Sequence, residues 1–417
     1  MCLRRAELAA RLYLLTRLRL NKMTYVEPCY LDHNSTTALK PEVLKAMLPW
    51  MTEQHGNPTS RHVFGRNARD AVEHARAQVA GAVGVQASQV VFTASGTEAN
   101  NFAINGITSN LAHGQILTSA IEHPCVTKPA LAMQARGWKA HNIGVNGECE
   151  LDVHHLHNLL AAPTNLVSVM LANNETGAIQ DVAQIAEMAR QYKAYVHTDA
   201  VQALGKIPVS FNDLGVHAMT LSSHKIGGPL GAGALVLDKR VDIFPLLHGG
   251  GQEKGLRSGT ENVAAIVGFG AACELAMDSL RAFAQHTTAL RANLEAALKA
   301  MSITSKMDAT IFAGNTKRLP NTSFFAFANQ HGEVIEGETL VTALDKAGFA
   351  VASGSACSSD STEPSHVLLA MGVDADMARG ALRVSFGMSN TTEQVEAFLK
   401  ALATEINRLK QMTAIAA

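Results

Sequence analysis

The sequence predicts an α/β fold: a large domain built on a mainly parallel sheet covered by helices, with a smaller α+β domain after it. Three observations carry the prediction. Short apolar, β-branched runs recur through the first two thirds of the chain, amphipathic stretches of helical period lie between them, and the runs are continuous. A strand buried on both faces reads as such a continuous run, whereas a sheet with one wet face alternates.

Taken in order, FGRNARDAVEHARAQVAGAV, from residue 64, has helical period, and QVVFT (89–93) reads as a strand. GTEANNFAINGI is helical and QILTSA a strand; NLVSVMLA (165–172), AYVHTD (194–199), AMTLSS (218–223) and GALVLD (233–238) complete the set. A helical segment over 261–301 leads to a unit holding NTSFFAF, GETLVTALDKAG, FAVASGS, ALRVSFG and the amphipathic TTEQVEAFLKALATEINRLKQ. The expected division is a basic extension at 1–22, a large domain at 23–262 and a small domain at 263–417, with 23–40 packing on the small domain.

Composition narrows the classes. Of 417 residues, 47% are hydrophobic and 17% charged, which fits a compact globular chain. A formal net charge of −1 gives no global attraction for nucleic acid or an anionic membrane. No uninterrupted apolar run approaches the roughly 20 residues of a bilayer span. The six cysteines (Cys2, Cys29, Cys125, Cys149, Cys273, Cys357) form no CxxC pair, arguing against a zinc knuckle and for a reducing, cytoplasmic compartment. The extension carries five arginines and a lysine against one glutamate. Arg11, Arg17 and Arg19 break the apolar stretch a signal peptide needs, while organelle targeting stays open.

In parallel sheets, ligands bind beyond the carboxyl ends of the strands. After QVVFT comes ASGTEAN, small residues opening a helix whose free N–H groups suit an anion. EHPCV puts His123 at a strand end, NNETG offers Asn173 and Asn174, TDAVQALGK brings Asp199 and Gln202, and SSHK brings Ser222, His224 and Lys225. Each reads singly as a cap or a polar loop. Together, an anion cradle, an imidazole, an amide, a carboxylate and a lysine on one rim match the needs of pyridoxal 5′-phosphate. Neither GxxxxGK[ST] nor a GxGxxG opening a helix after the first strand is present.

The motifs YLDHNSTT, GNPTSRHVFG, ASGTEANN, IEHPCV, NNETG, HTDAVQALGK, SSHKIGGPLGAGAL, GGGQEKGLRSGT and SGSACSS…EPSHVL…ALRVSFG run in order from about residue 30 to 390. Their succession resembles the cysteine desulfurases of the NifS/IscS type, class V aminotransferase relatives with the pyridoxal-phosphate-dependent fold type I. The resemblance implies a seven-stranded large-domain sheet and a homodimer. It implies Lys225 as the Schiff-base lysine, Asp199 as partner of the pyridine nitrogen, and His123 stacked on the ring and moving protons. Gly96, Thr97, Ser222 and His224 would hold the phosphate, with Thr260 contributed by the other subunit. Asn174 and Gln202 would lie by the ring hydroxyl, with Arg383 and Asn174 on the substrate carboxylate.

The segment SGSACSSDSTEPS (353–365) reads as a flexible loop with Cys357 inside it, where nothing suggests a core. An accessible, mobile thiol suits a nucleophile that hands something onward. The resemblance implies that Cys357 takes the sulfur of L-cysteine as a persulfide, yielding L-alanine, for an acceptor such as an iron–sulfur scaffold protein. No resident metal is implied, only a transient iron–sulfur ligand role for Cys357. A selenocysteine lyase, an aminotransferase on the same fold and a non-catalytic sulfur carrier are the alternatives. Cys357 weighs against simple transamination, and Lys225, Asp199 and His123 weigh against the carrier.

Overall fold

The computed structural model describes residues 28–305, 307–354 and 363–416. The basic extension, and Cys357 with the centre of its segment, lie outside the described residues. The first unit is a seven-stranded sheet in the order β2-β8-β7-β6-β5-β3-β4. Its strands are β2 (Val90–Thr93), β3 (Gln115–Ser119), β4 (Lys139–Ile143), β5 (Thr164–Ser168), β6 (Tyr195–Asp199), β7 (Ala218–Ser222) and β8 (Gly233–Leu237); β1 (Cys29–Tyr30) belongs elsewhere. Only β8 runs against its neighbours, so the other strands deliver their carboxyl ends to one rim.

The continuous apolar runs have the expected cause. Val91, Ile116, Leu166, Ala218 and Leu235 join the core on one face, with Phe102, Ile104 and Val126. Their chain neighbours Phe92, Leu117, Val167, Met219 and Val236 join the core on the other, with Val72, Val79, Phe269 and Cys273. Pleat alternation thus splits each run between two covered faces. The edge strand β4, KAHNI, is mostly exposed and polar, and the hydropathy pattern carries no sign of it.

The second unit is a four-stranded antiparallel sheet, β12-β13-β10-β9, made of β9 (Met307–Ile311), β10 (Thr322–Asn329), β12 (Ala352–Ser353) and β13 (Leu382–Ser385). β1 pairs in parallel with β11 (Phe349–Ala350), which ties the N-terminal segment to this unit. The helix Val263–Ser305 serves both bodies. Its first half supplies Phe269, Ala272, Cys273 and Ala276 to the large core, and its second half supplies Leu290, Leu294 and Leu298 to the small one. By length and composition Val263–Met301 could cross a bilayer. Here those apolar residues pack against protein.

The loop after β8 is held by a buried ion pair. Arg76, in α1 (Val63–Ala82), grips Glu253 through Nη1–Oε2 at 2.6 Å and Nη2–Oε1 at 2.7 Å. The Phe92 N–H donates to the same carboxylate at 2.8 Å, and the guanidinium lies 4.7 Å above the Phe92 ring. The grip offsets a strained backbone: Glu253 and Lys254 both take left-handed φ, 47° and 61°, at roughly 1–2 kcal/mol each for L-residues. Arg76→Met would strand the Glu253 carboxylate. It is expected to cost about 3–5 kcal/mol, read as a lowered urea midpoint; a shift below about 1 kcal/mol would mean the pair is dispensable.

Candidate active site

At the rim, the ends of β2, β3, β5, β6 and β7 each hand over a chemical group. After β2, Ser95 caps α2 (Gly96–Thr108), its hydroxyl accepting from the Glu98 N–H at 3.1 Å. That leaves the first-turn N–H groups pointing out of the helix. Gly96 sits where a Cβ would come 3.0 Å from Val201 Cγ2 and 3.4 Å from Ser222 Cβ, so any side chain there would press the Val201 side chain aside by a few tenths of an ångström.

After β3, His123 caps α3 (Pro124–Ala132) by accepting from the Cys125 N–H at Nδ1, 3.1 Å. After β5, Asn173 turns inward, its carbonyl oxygen accepting from the N–H groups of Glu175 and Thr176, and so shapes the turn. Asn174 lines the cavity instead, and its main-chain carbonyl accepts from Arg383 Nη1 at 3.0 Å. Asp199 ends β6, its carboxylate accepting from the Val201 N–H (2.9 Å) and from Asn100 Nδ2 (2.7 Å).

Lys225 follows β7 on a tight turn that Gly227 ends at φ 82°. Its amine donates to the carbonyls of Asn34, at 2.8 Å, and Ser35. Arg383 enters from β13: Nη2 donates to Asp32 Oδ1 at 2.7 Å and to Ser35 Oγ at 2.8 Å, while the buried Nε has no partner among the described residues.

A cavity of about 320 Å³ brings Gly96, Thr97, His123, Asn174, Asp199, Gln202, Ser222, His224, Lys225 and Arg383 together. Thr260 is apart from it, exposed at the end of the loop that Glu253 anchors. Cys357 lies outside the described residues, although the flanking Ser353 and Ser365 are tied to the carboxylates of Glu338 and Glu175. Sequence reasoning missed Asn34, Ser35 and Asn100. All three stand inside quoted motifs, YLDHNSTT and ASGTEANN, but Asn34 and Ser35 meet Lys225 through main-chain carbonyls, and Asn100 lies one turn into α2 rather than at a strand end.

Burial sets the proton affinities. It pushes the Asp199 carboxyl up, against the Val201 N–H, the Asn100 amide and the nearby His123 and Lys225. It holds His123 below the usual imidazole range, assisted by Lys225 and His366 and opposed by Asp199. His224 is brought down to about 4, by burial first and Lys225 second. The Cys125 thiol is raised to about 12, mainly by burial.

The chain that places a lysine, a buried acid and an imidazole at the carboxyl rim of a mainly parallel sheet is similar to known proteins along most of its length. The aminotransferase class-V family model matches residues 29–398. A cysteine desulfurase IscS of Dictyoglomus turgidum is 40% identical over 387 residues, covering 92% of this chain and 96% of that protein. A solved NifS-like protein superposes with a TM-score of 0.84 at 36% identity, over 91% of this chain and 99% of its own. A structure of SspA in complex with cysteine gives 0.73 at 28% identity, over 86% and 98%. The chain belongs to the aminotransferase class-V family, whose members of this kind depend on pyridoxal phosphate. Within it, the chain groups with the cysteine desulfurases of the NifS/IscS type and is an enzyme of that class.

Proposed function

We propose that the cavity binds pyridoxal 5′-phosphate and acts on L-cysteine, giving L-alanine and leaving the sulfur on Cys357 as a persulfide. The observation that carries this reading is the meeting of Lys225, Asp199 and the N-terminus of α2 in one cavity, with Arg383 arriving from the second sheet.

The residues fit the cofactor. The N–H groups of α2, with Thr97, Ser222 and His224, suit a phosphate, and the close approach at Gly96 leaves no side chain in its way. A buried Asp199 with two hydrogen-bond donors suits a pyridinium nitrogen, since a cation beside it favours the ionised carboxylate against burial. His123 has the flat ring to cover one face, and Gln202 and Asn174 suit the ring hydroxyl. Held there, pyridoxal phosphate supplies an electron-accepting ring next to the lysine amine.

The remaining work falls to the chain. Lys225 removes and returns the proton at the substrate α-carbon, from a position set by the Asn34 and Ser35 carbonyls. Arg383 pairs with the substrate carboxylate, Asn174 beside it. The Cys357 thiolate attacks the substrate sulfur: an S–S bond forms, the carbon–sulfur bond breaks with its electron pair kept on carbon, and that carbon takes up a proton to complete alanine. His123 serves as a proton carrier on the way. Thr260, exposed beyond the clamped loop, suits donation of a hydroxyl to the phosphate site of a second copy in a homodimer. An iron–sulfur scaffold or a similar protein acceptor then takes the persulfide sulfur.

The test is a product balance. Full-length protein loaded with pyridoxal phosphate and given L-cysteine and a thiol reductant should release alanine and sulfide in equal amounts. A keto acid would favour the aminotransferase alternative, turnover of selenocysteine alone the lyase, and no product the non-catalytic carrier.

A further inference from the structure

The cavity wall contains a second thiol that this mechanism does not use. Cys125 Sγ lies 2.9 Å from His123 Nδ1 and 3.0 Å from Asn100 Nδ2. The same Asn100 amide nitrogen donates to Asp199 Oδ2 at 2.7 Å. An ionised carboxylate only accepts, so the Asn100 nitrogen must face it, and that nitrogen's other contact is the sulfur. Asn100 donates to the sulfur and the Thr97 side chain bonds it in the sense that favours the thiolate, so the thiol hydrogen is directed to His123. The Cys125 N–H donates to the same Nδ1 at 3.1 Å, so Nδ1 carries no hydrogen of its own. A continuous chain of contacts therefore runs from Asp199 through Asn100 and Cys125 to His123.

We propose that Cys125 is a positioning residue: its S–H donates to His123 Nδ1, holds the imidazole neutral with its hydrogen on Nε2, and ties it through Asn100 to the Asp199 carboxylate. The inference rests on the reading of His123 as the cavity's proton carrier. The sign follows from the geometry. Protonating Nδ1 would set a new N–H against both an S–H and an N–H, so Cys125 opposes the imidazolium. The thiol stays protonated near neutral pH, its affinity raised by burial. Among the described residues, the other ionisable groups acting on His123 include Asp199, which favours its protonation, and Lys225 and His366, which oppose it. A small substitution at 125 reaches Asp199 only through Asn100, whose own bond to the carboxylate does not involve the sulfur.

Cys125→Ala should raise the His123 midpoint by about one pH unit, the scale of one modest hydrogen bond. Cys125→Ser, which restores a donor, should return it towards the starting value. The readout is the ¹⁵N imidazole shift of His123 in full-length, pyridoxal-phosphate-loaded protein, assigned by its loss in His123→Gln. The acid limb of the rate–pH profile should move by the same amount. Because the ¹⁵N titration needs no turnover, it stands even if the desulfurase reading fails. An unmoved midpoint in Cys125→Ala, or a sulfane sulfur found on Cys125 by mass spectrometry after turnover, overturns the proposal.

Discussion

Lys225→Ala is expected to lower alanine formation from L-cysteine by roughly 10⁴-fold or more, the upper range for a proton-transfer group, because one amine would serve both as covalent anchor and as base. The visible absorbance of covalently held pyridoxal phosphate should vanish with it, while the Asp199 and α2 contacts keep the cofactor bound without the link. Lys225→Arg should fare little better. Its charge is retained, but a guanidinium remains protonated near neutral pH and cannot act as a nucleophile. The amine is placed by two main-chain carbonyls, which no nearby side-chain change easily reproduces. Turnover of Lys225→Ala within tenfold of the unaltered enzyme would remove this lysine from the mechanism.

The second large effect is at the thiol. Cys357→Ser should abolish sulfide and alanine production from cysteine, a loss on the order of 10³-fold or greater, since a serine hydroxyl is a far weaker nucleophile towards sulfur. The cofactor spectrum, and its change on adding cysteine, should survive. That split separates Cys357 from Lys225: one variant loses the cofactor link, the other keeps it and loses only the sulfur step. Undiminished sulfide release by Cys357→Ser would refute the persulfide.

Much of this was legible in the sequence because covered parallel strands must be apolar along their length and the rim must be polar. QVVFT, AYVHTD and AMTLSS each end within a residue of the observed strand, and the groups after them line the cavity. Strand β4 was illegible because an exposed edge has no apolar face to show. Asn34 escaped for a different reason. It works through its main-chain carbonyl towards Lys225, and through a side chain that meets Lys206 Nζ at 2.8 Å, a contact between residues 172 positions apart. Cys125 follows His123 by two positions, but its link to Asn100 spans 25, which neither helical nor strand periodicity connects.

One consequence follows from the helix Val263–Ser305. Since a single rod of 43 residues contributes side chains to each hydrophobic interior, neither body can melt while leaving its neighbour whole. Lys225 and Arg383 come from opposite bodies, so that rod also fixes the distance between them across the cavity. Loosening anywhere along it would be felt as misalignment at the chemistry before it was felt as unfolding.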